Sequence, residues 1–193
     1  MLISDEYKFV FLAPTKTGTR SIYHLLKKHY NGYEYQDHGK IIPEKFHNYF
    51  TFINKRCPYE RAASAYWFSC QRRDDRFKYQ QKFEKMKIEN NFRNFLKIAG
   101  SLFTSTQWSY HVNNRIDAIL DIEFLERDFN RLPFITDQLE IVKSNQTNLV
   151  DGRNKYFSDK PPSIQIIDTE SAKVVERIWA DDFENLRYTH KEW

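Results

Sequence analysis

The hydrophobic residues of this chain form short unbroken runs and helical repeats that alternate along the sequence. Residues 9–13 are an unbroken apolar run, which predicts a strand buried on both faces of a parallel sheet. The next segment has the spacing of one helix face, at Ile22, Leu25, Leu26 and His29. Asn31-Gly32 ends this predicted helix. Residues 1–6 are interpreted as a polar lead-in.

The same alternation continues through the rest of the chain. Residues 49–54 predict a second strand, Pro58 suits the first position of a helix that ends near Cys70, and residues 118–124 predict a third strand. Two further helices follow from their spacing: one contains Ile88, Phe92, Phe95, Leu96 and Ala99 and is closed by Gly100, and the last contains Ala172, Val175, Ile178 and Trp179. We therefore predict an α/β fold, a three-layer, P-loop-like domain whose mostly parallel central sheet is flanked by helices.

Length and composition limit the class of protein. The chain has 193 residues, which corresponds to one domain, residues 1–193, and its 40% hydrophobic and 17% aromatic residues exclude disorder over most of it. A net charge of +4 is too small to indicate nucleic-acid binding but is compatible with an anionic cofactor. Cys57 and Cys70 form neither a disulfide framework nor a metal cluster. The sequence shows no leader and no apolar run of roughly 18 residues, so we expect a cytoplasmic protein.

The turn between the first strand and the first helix has the composition of an anion-binding site. It contains Pro14, Gly18 and a cluster of hydroxyl residues. A strand that enters such a turn and continues as a helix leaves N–H groups unpaired, and the helix dipole adds roughly half a positive charge. Phosphate or sulfate is the anion that such turns usually bind. The Walker pattern G-x-x-x-x-G-K-[ST] does not fit, because Lys16 precedes Gly18.

Two segments together resemble one enzyme family. The turn Lys16-Thr17-Gly18-Thr19-Arg20-Ser21 resembles the 5′-phosphosulfate-binding loop of the sulfotransferases that use 3′-phosphoadenosine-5′-phosphosulfate (PAPS), although Thr15 stands where that family usually has proline. Residues 56–66 have the pattern R-x-P-x-x-R-x-x-S-x-Y, which resembles the same family's 3′-phosphate-binding segment. The chemistry agrees, because an arginine fork and a hydroxyl suit a phosphate dianion.

The resemblance is to the carbohydrate, Golgi-type branch of that family, in a minimal soluble form. It implies transfer of a sulfuryl group from PAPS to an acceptor hydroxyl, on a carbohydrate, with 3′,5′-diphosphoadenosine as product and no metal. Lys16 is expected to be catalytic, by stabilising charge at the bridging oxygen. The residues expected to bind the donor are Lys16, Thr17, Gly18, Thr19, Arg20, Ser21, Arg56, Ser64, Arg153 and Lys155.

The acceptor must lose a proton, and His38 is the first candidate for the general base. It lies in the turn between the two phosphate segments, where related sulfotransferases place a histidine. Other candidates stay open, namely Glu34, Glu44, Glu60 and His111.

Two other functions also stay open. A P-loop-like nucleotide kinase is disfavoured by the position of Lys16, and a non-catalytic nucleotide- or nucleic-acid-binding module would use the Lys and Arg residues together with aromatic side chains. We expect a small-molecule or saccharide acceptor as partner, and neither nucleic acid nor membrane. The sequence leaves open the identity of the acceptor, the residues that stack on adenine and the oligomeric state.

Overall fold

The computed structural model describes residues 1–36, 39–71, 91–102, 105–141 and 166–191. Its helices, in chain order, are α1 (Thr19–His29), α2 (Pro58–Gln71), α3 (Phe92–Leu102), α4 (Leu125–Phe129), α5 (Thr169–Ile178) and α6 (Ala180–Asn185). Its strands are β1 (Leu2–Ser4), β2 (Phe9–Leu12), β3 (Tyr33–Glu34), β4 (Phe50–Lys55) and β5 (Ala118–Asp121). The chain divides into two compact units, one drawn from Met1–Arg56 with Gln107–Lys155 and the other from Cys57–Thr106 with Tyr156–Trp193.

The first unit contains a five-stranded mixed sheet in the order β3-β1-β2-β4-β5. Strands β2, β4 and β5 run parallel to one another, with Leu12 opposite Ile53 and Lys55 opposite Asp121. Strand β1 is antiparallel to both β2 and β3. The α/β class is therefore confirmed, with a mixed sheet in which β1 runs opposite to the other four strands.

Strand β1 makes the sheet mixed, and it shows that the prediction of a polar lead-in over residues 1–6 was wrong. Leu2, Ile3 and Ser4 are all fully buried between β2 and β3. The chain then turns back at Lys8, whose φ of 52° lies in the left-handed region, and enters β2 antiparallel to β1. Three residues are too few to show the alternation of a strand, so only the pairing with β2 and β3 identifies this one.

Both faces of the sheet in the first unit are covered. One face packs against α1 and α4, through a cluster that includes Phe9, Phe11, Ile22, Leu26, Phe52, Leu125 and Phe129. The opposite face carries the alternate residues Val10, Leu12 and Ile53, packed with Ile42, Phe46 and Tyr110. Every residue of β2 is buried, which confirms the prediction of a strand covered on both sides. This packing fixes the position of the turn that follows β2.

The second unit is helical. Helices α2, α3, α5 and α6 share a core that contains Tyr59, Phe95, Val175, Trp179 and Phe183. A buried ion pair crosses this core, with Arg61 Nη1 at 3.3 Å from Asp182 Oδ2, and Arg61 Nη2 donates to the carbonyl of Ser105 at 2.8 Å. The side chains of Arg61 and Asp182 are 3% and 0% exposed. The second arginine of the R-x-P-x-x-R segment is therefore a structural residue of this unit.

Two helix ends of the second unit differ from the sequence expectation. Helix α3 does not stop at Gly100 but continues to Leu102, since a glycine inside a helix costs only about 1 kcal/mol. The last predicted helix corresponds to α5, which ends at Ile178, one residue before the predicted Trp179, and the short helix α6 follows. Pro58 is the first residue of α2, as expected. Within the described ranges, no helix combines the length and apolarity needed to cross a membrane.

Candidate anion-binding site

The turn between β2 and α1 has a backbone suited to anion binding. Lys16 and Gly18 both lie in the left-handed region, with φ of 66° and 80°. Gly18 is the N-cap of α1, and no side chain makes a capping hydrogen bond there. Successive N–H groups around left-handed residues form a concave anion site, and the helix dipole adds positive potential. A lysine with positive φ costs of order 1 kcal/mol, which the surrounding contacts must offset.

Two threonine hydroxyl groups stabilise this turn by hydrogen bonds within it. Thr17 Oγ1 donates to the carbonyl of Pro14 at 2.7 Å, and Thr19 Oγ1 donates to the same carbonyl at 3.1 Å. A hydroxyl has a single hydrogen to donate, so neither threonine can donate to an anion while this bond is formed. The donors that remain for an anion are the backbone N–H groups at the start of α1 and nearby cations.

A buried amide connects the turn to the neighbouring strand. Asn54, near the end of β4, is fully buried, and its Nδ2 donates to the carbonyl of Thr17. Its Oδ1 is also buried and accepts no hydrogen bond from any residue that the structure describes. A carbonyl oxygen in this state needs a donor, which an ammonium or hydroxyl group supplies and a phosphate oxygen does not.

Arg56 stands next to the turn at the end of β4. Its Nη1 donates to the carbonyl of Lys16 at 3.4 Å. Its backbone is held by Gln107, whose side chain bonds to both the N–H and the carbonyl of Arg56. The guanidinium of Arg56 is thus in contact with the backbone of Lys16 in the turn.

The end of β5 brings acidic side chains to the same edge. Asp121 caps the 3₁₀ turn Ile122–Phe124, accepting from the N–H of Glu123 at 3.2 Å, and its Oδ2 lies 3.4 Å from Lys55 Nζ. Burial opposes the charge of Asp121, but hydrogen bonds with Glu123 and the nearby Lys55 hold its pKa below the usual value. These bonds account for Asp121 as a capping and pairing residue.

Glu123 was not recognised in the sequence as a site residue. Glu123 is exposed as a residue, but its carboxyl group is partly desolvated against the protein. This partial burial, a hydrogen bond with Asp121 and the charge of Asp121 raise its pKa to about 7, while Arg56 acts in the opposite direction. The available signal was its position just after a strand parallel to β2 and β4. Carboxyl ends of parallel strands meet at one edge, which is where ligands bind in open α/β sheets.

The remaining predicted residues are distributed as follows. Arg20 is exposed on α1 and Ser21 is buried there, both in the first unit, whereas Ser64 is half-buried on α2 in the second unit. Glu34 is paired with Lys27, Glu44 is exposed beside Pro43, and Glu60 lies in the first turn of α2. His111 stacks on Trp108 with ring centroids 4.9 Å apart. The predictions for His38, Arg153 and Lys155 lie outside the described residues.

Comparison with known proteins gives no assignment, since no family model, no curated protein and no solved structure matches this chain. The groups at the carboxyl edge of the sheet therefore carry the functional assignment. The carboxyl end of β2 leads into the turn that is rich in N–H groups, and the end of β4 carries the cations Lys55 and Arg56. The carboxylates Asp121 and Glu123 lie at the end of β5. Such an edge can hold an anionic group next to a proton-accepting one.

Proposed function

We propose that this chain is a PAPS-dependent sulfotransferase that transfers a sulfuryl group to an acceptor hydroxyl. The observation that carries the proposal is the contact between Arg56 and Lys16, at 3.4 Å from guanidinium nitrogen to carbonyl oxygen. It joins the two segments that resemble the 3′-phosphate and 5′-phosphosulfate sites of that family. A donor with two separate anionic groups needs both sites to be adjacent.

The residues at this edge fit the charges of such a donor. Phosphate and sulfate oxygens only accept hydrogen bonds, and the turn offers N–H groups at Gly18 and at the first residues of α1. Arg56 offers a planar fork that suits a phosphate dianion. The hydroxyl groups of Thr17 and Thr19 already donate to the carbonyl of Pro14, so they are less suited to bind the donor anion. We assign these two side chains to stabilising the turn.

Lys16 supplies the catalytic charge in this proposal. Its ammonium stabilises the negative charge that develops on the bridging oxygen as the sulfuryl group leaves. The left-handed backbone at Lys16, the contact of its carbonyl with Arg56 and the bond from Asn54 to Thr17 limit the movement of the turn. Catalysis of group transfer depends on such positioning more than on covalent chemistry.

The class of acceptor rests on the resemblance alone. The branch of the family that this chain resembles mostly modifies saccharides, so a carbohydrate hydroxyl is the first acceptor to test. The test incubates the purified chain with ³⁵S-labelled PAPS and methyl glycosides of galactose, N-acetylglucosamine and glucuronic acid. We expect labelled glycoside and 3′,5′-diphosphoadenosine in equal amounts, and neither with Lys16→Ala. Turnover of ATP without transfer from PAPS would favour the kinase instead.

A further inference from the structure

Glu123 lies at the edge where the proposed donor site is built. It follows β5 by two residues, and β5 pairs in parallel with β4, whose end carries Arg56. The charge of Arg56 acts on Glu123, and the same guanidinium donates to the carbonyl of Lys16. One arginine therefore connects this carboxyl group to the turn that is proposed to hold the sulfuryl donor.

The charged groups around Glu123 come from three segments. Asp121, at the end of β5, bonds to Glu123, and Lys55 and Arg56, at the end of β4, supply positive charge. Asp128 of α4 accepts from the N–H of Asp121 at 3.0 Å. Asp121 is occupied by its cap and its pair with Lys55, and Asp128 is occupied by Asp121 and Arg127. Glu123 is therefore the carboxyl group of this set that we assign to proton exchange.

A buried amide oxygen also lies near the end of β4. Asn54 Oδ1, one residue before Lys55 on β4, is buried and accepts no hydrogen bond from the described residues. It requires a donor, which phosphate and sulfate groups lack. Because Asn54 is fully buried and bonds to the carbonyl of Thr17, we assign this amide to holding the turn.

We propose that Glu123 is the general base that removes the proton from the acceptor hydroxyl, an assignment that rests on the proposed function. Glu123 accepts this proton as the acceptor oxygen forms its bond to sulfur. The bond between sulfur and the bridging oxygen breaks, and its electron pair stays on the 5′-phosphate of 3′,5′-diphosphoadenosine, beside Lys16. Glu123 then releases the proton to solvent.

The environment of Glu123 suits this role at neutral pH. A general base works best when its pKa lies near the working pH, and the pKa of Glu123 is raised to about 7, chiefly by burial and then by Asp121. The carboxylate is the active form, so kcat/KM rises with pH through about 7. Glu34 differs, because it is paired with Lys27 at the surface.

The test measures single-turnover transfer of ³⁵S from PAPS against pH, with the best glycoside of the panel, or with water as acceptor when no sugar is labelled. Glu123→Gln should lower kcat by roughly a hundred- to ten-thousand-fold while 3′,5′-diphosphoadenosine still binds. Asp121→Asn keeps an oxygen to cap the turn but removes the charge that raises the pKa of Glu123. It should shift the rising limb to lower pH, which a purely structural role would not do. Glu184→Gln, exposed on α6, is the matched control.

Different experimental outcomes would contradict the role of Glu123 and the proposed sulfotransferase function. Retention of turnover and of the pH limb in Glu123→Gln would overturn the role of Glu123, as would loss of the limb in His38→Ala alone. Binding of 3′,5′-diphosphoadenosine without transfer to sugar or water in the wild type would also overturn it. Equal affinity for 3′,5′-diphosphoadenosine and ADP would instead overturn the proposed function itself.

Discussion

The side-chain amide of Gln107 pairs with both backbone groups of Arg56, as a neighbouring strand would. Oε1 of Gln107 accepts from the Arg56 N–H at 2.7 Å, and Nε2 donates to the Arg56 carbonyl at 2.8 Å. Gln107 is fully buried. Arg56, just past the end of β4, therefore has both backbone groups hydrogen-bonded, as a strand residue does. These bonds fix the backbone that carries its guanidinium group.

Gln107→Ala should therefore destabilise the protein and weaken binding at the candidate anion site. The change leaves the N–H and the carbonyl of Arg56 without their partner, and an unsatisfied buried group costs about 1–3 kcal/mol. Urea unfolding measures the loss, and a thermal-shift titration with 3′,5′-diphosphoadenosine measures the effect on the site. Gln138→Ala, at an exposed position of the first unit, should change neither quantity. An unchanged midpoint in Gln107→Ala would show that water replaces the amide.

Arg56 should distinguish nucleotides by their 3′-phosphate. In the wild type, 3′,5′-diphosphoadenosine should raise the melting temperature well above the effect of ADP. Arg56→Ala should abolish most of this difference, because charge-assisted hydrogen bonds of this kind are worth roughly 1.5–3 kcal/mol. Arg56→Lys keeps the charge without the fork and should fall between the two. Equal stabilisation of the wild type by both nucleotides would refute the assignment of this segment.

Lys16→Ala should separate catalysis from binding. If the ammonium acts on charge that develops only in the transition state, kcat falls much more than the affinity for 3′,5′-diphosphoadenosine. The comparison uses turnover of labelled PAPS and calorimetric binding of the product. A variant that loses product binding but keeps its rate at saturating donor would make Lys16 a binding residue only. We also expect chelation of magnesium to leave the wild-type rate nearly unchanged.

The local elements of the site followed from the sequence, because local composition determines them. An apolar run, a turn with Pro14 and Gly18 and an amphipathic segment give β2, the turn and α1. The partners that hold the turn did not follow. Asn54 bonds to a residue 37 positions earlier, and Gln107 bonds to one 51 positions earlier. An isolated Asn or Gln carries no pattern that names its partner, so only the sheet register brings these groups together.

Arg61 shows the same limit in a different way. The sequence motif contains two arginines, at positions 56 and 61, and nothing in their spacing distinguishes a ligand-binding arginine from a structural one. In the structure, Arg61 pairs with Asp182 and donates to the carbonyl of Ser105. Burial and the counter-charge decide its role, and both depend on residues more than 40 positions away.

The Arg61–Asp182 pair should be essential for the stability of the second unit. Removing one partner leaves a buried charge uncompensated, so Arg61→Ala should lower the free energy of unfolding by about 3–5 kcal/mol. A double variant, Arg61→Met with Asp182→Leu, should recover much of this loss, because no unpaired charge remains. Chemical denaturation of the single and double variants measures both values. A double variant no more stable than Arg61→Ala would show that the bond to Ser105 matters more.

The raised pKa of Glu123 also predicts how stability depends on pH, independently of any ligand. The folded protein holds the proton up to about pH 7, whereas the ordinary value of the carboxyl group is 4.5. The contribution of this group is thus fully present below about pH 4.5 and is lost as the pH rises through about 7. Glu123→Gln resembles the protonated form, so its stability relative to the wild type should increase from pH 4 to pH 8. Urea midpoints of both proteins across this range measure the change, with Glu184→Gln as control. A difference in stability that does not vary with pH would mean that the pKa of Glu123 is not raised. Glu123 would then lack the pKa near 7 that suits a general base at neutral pH.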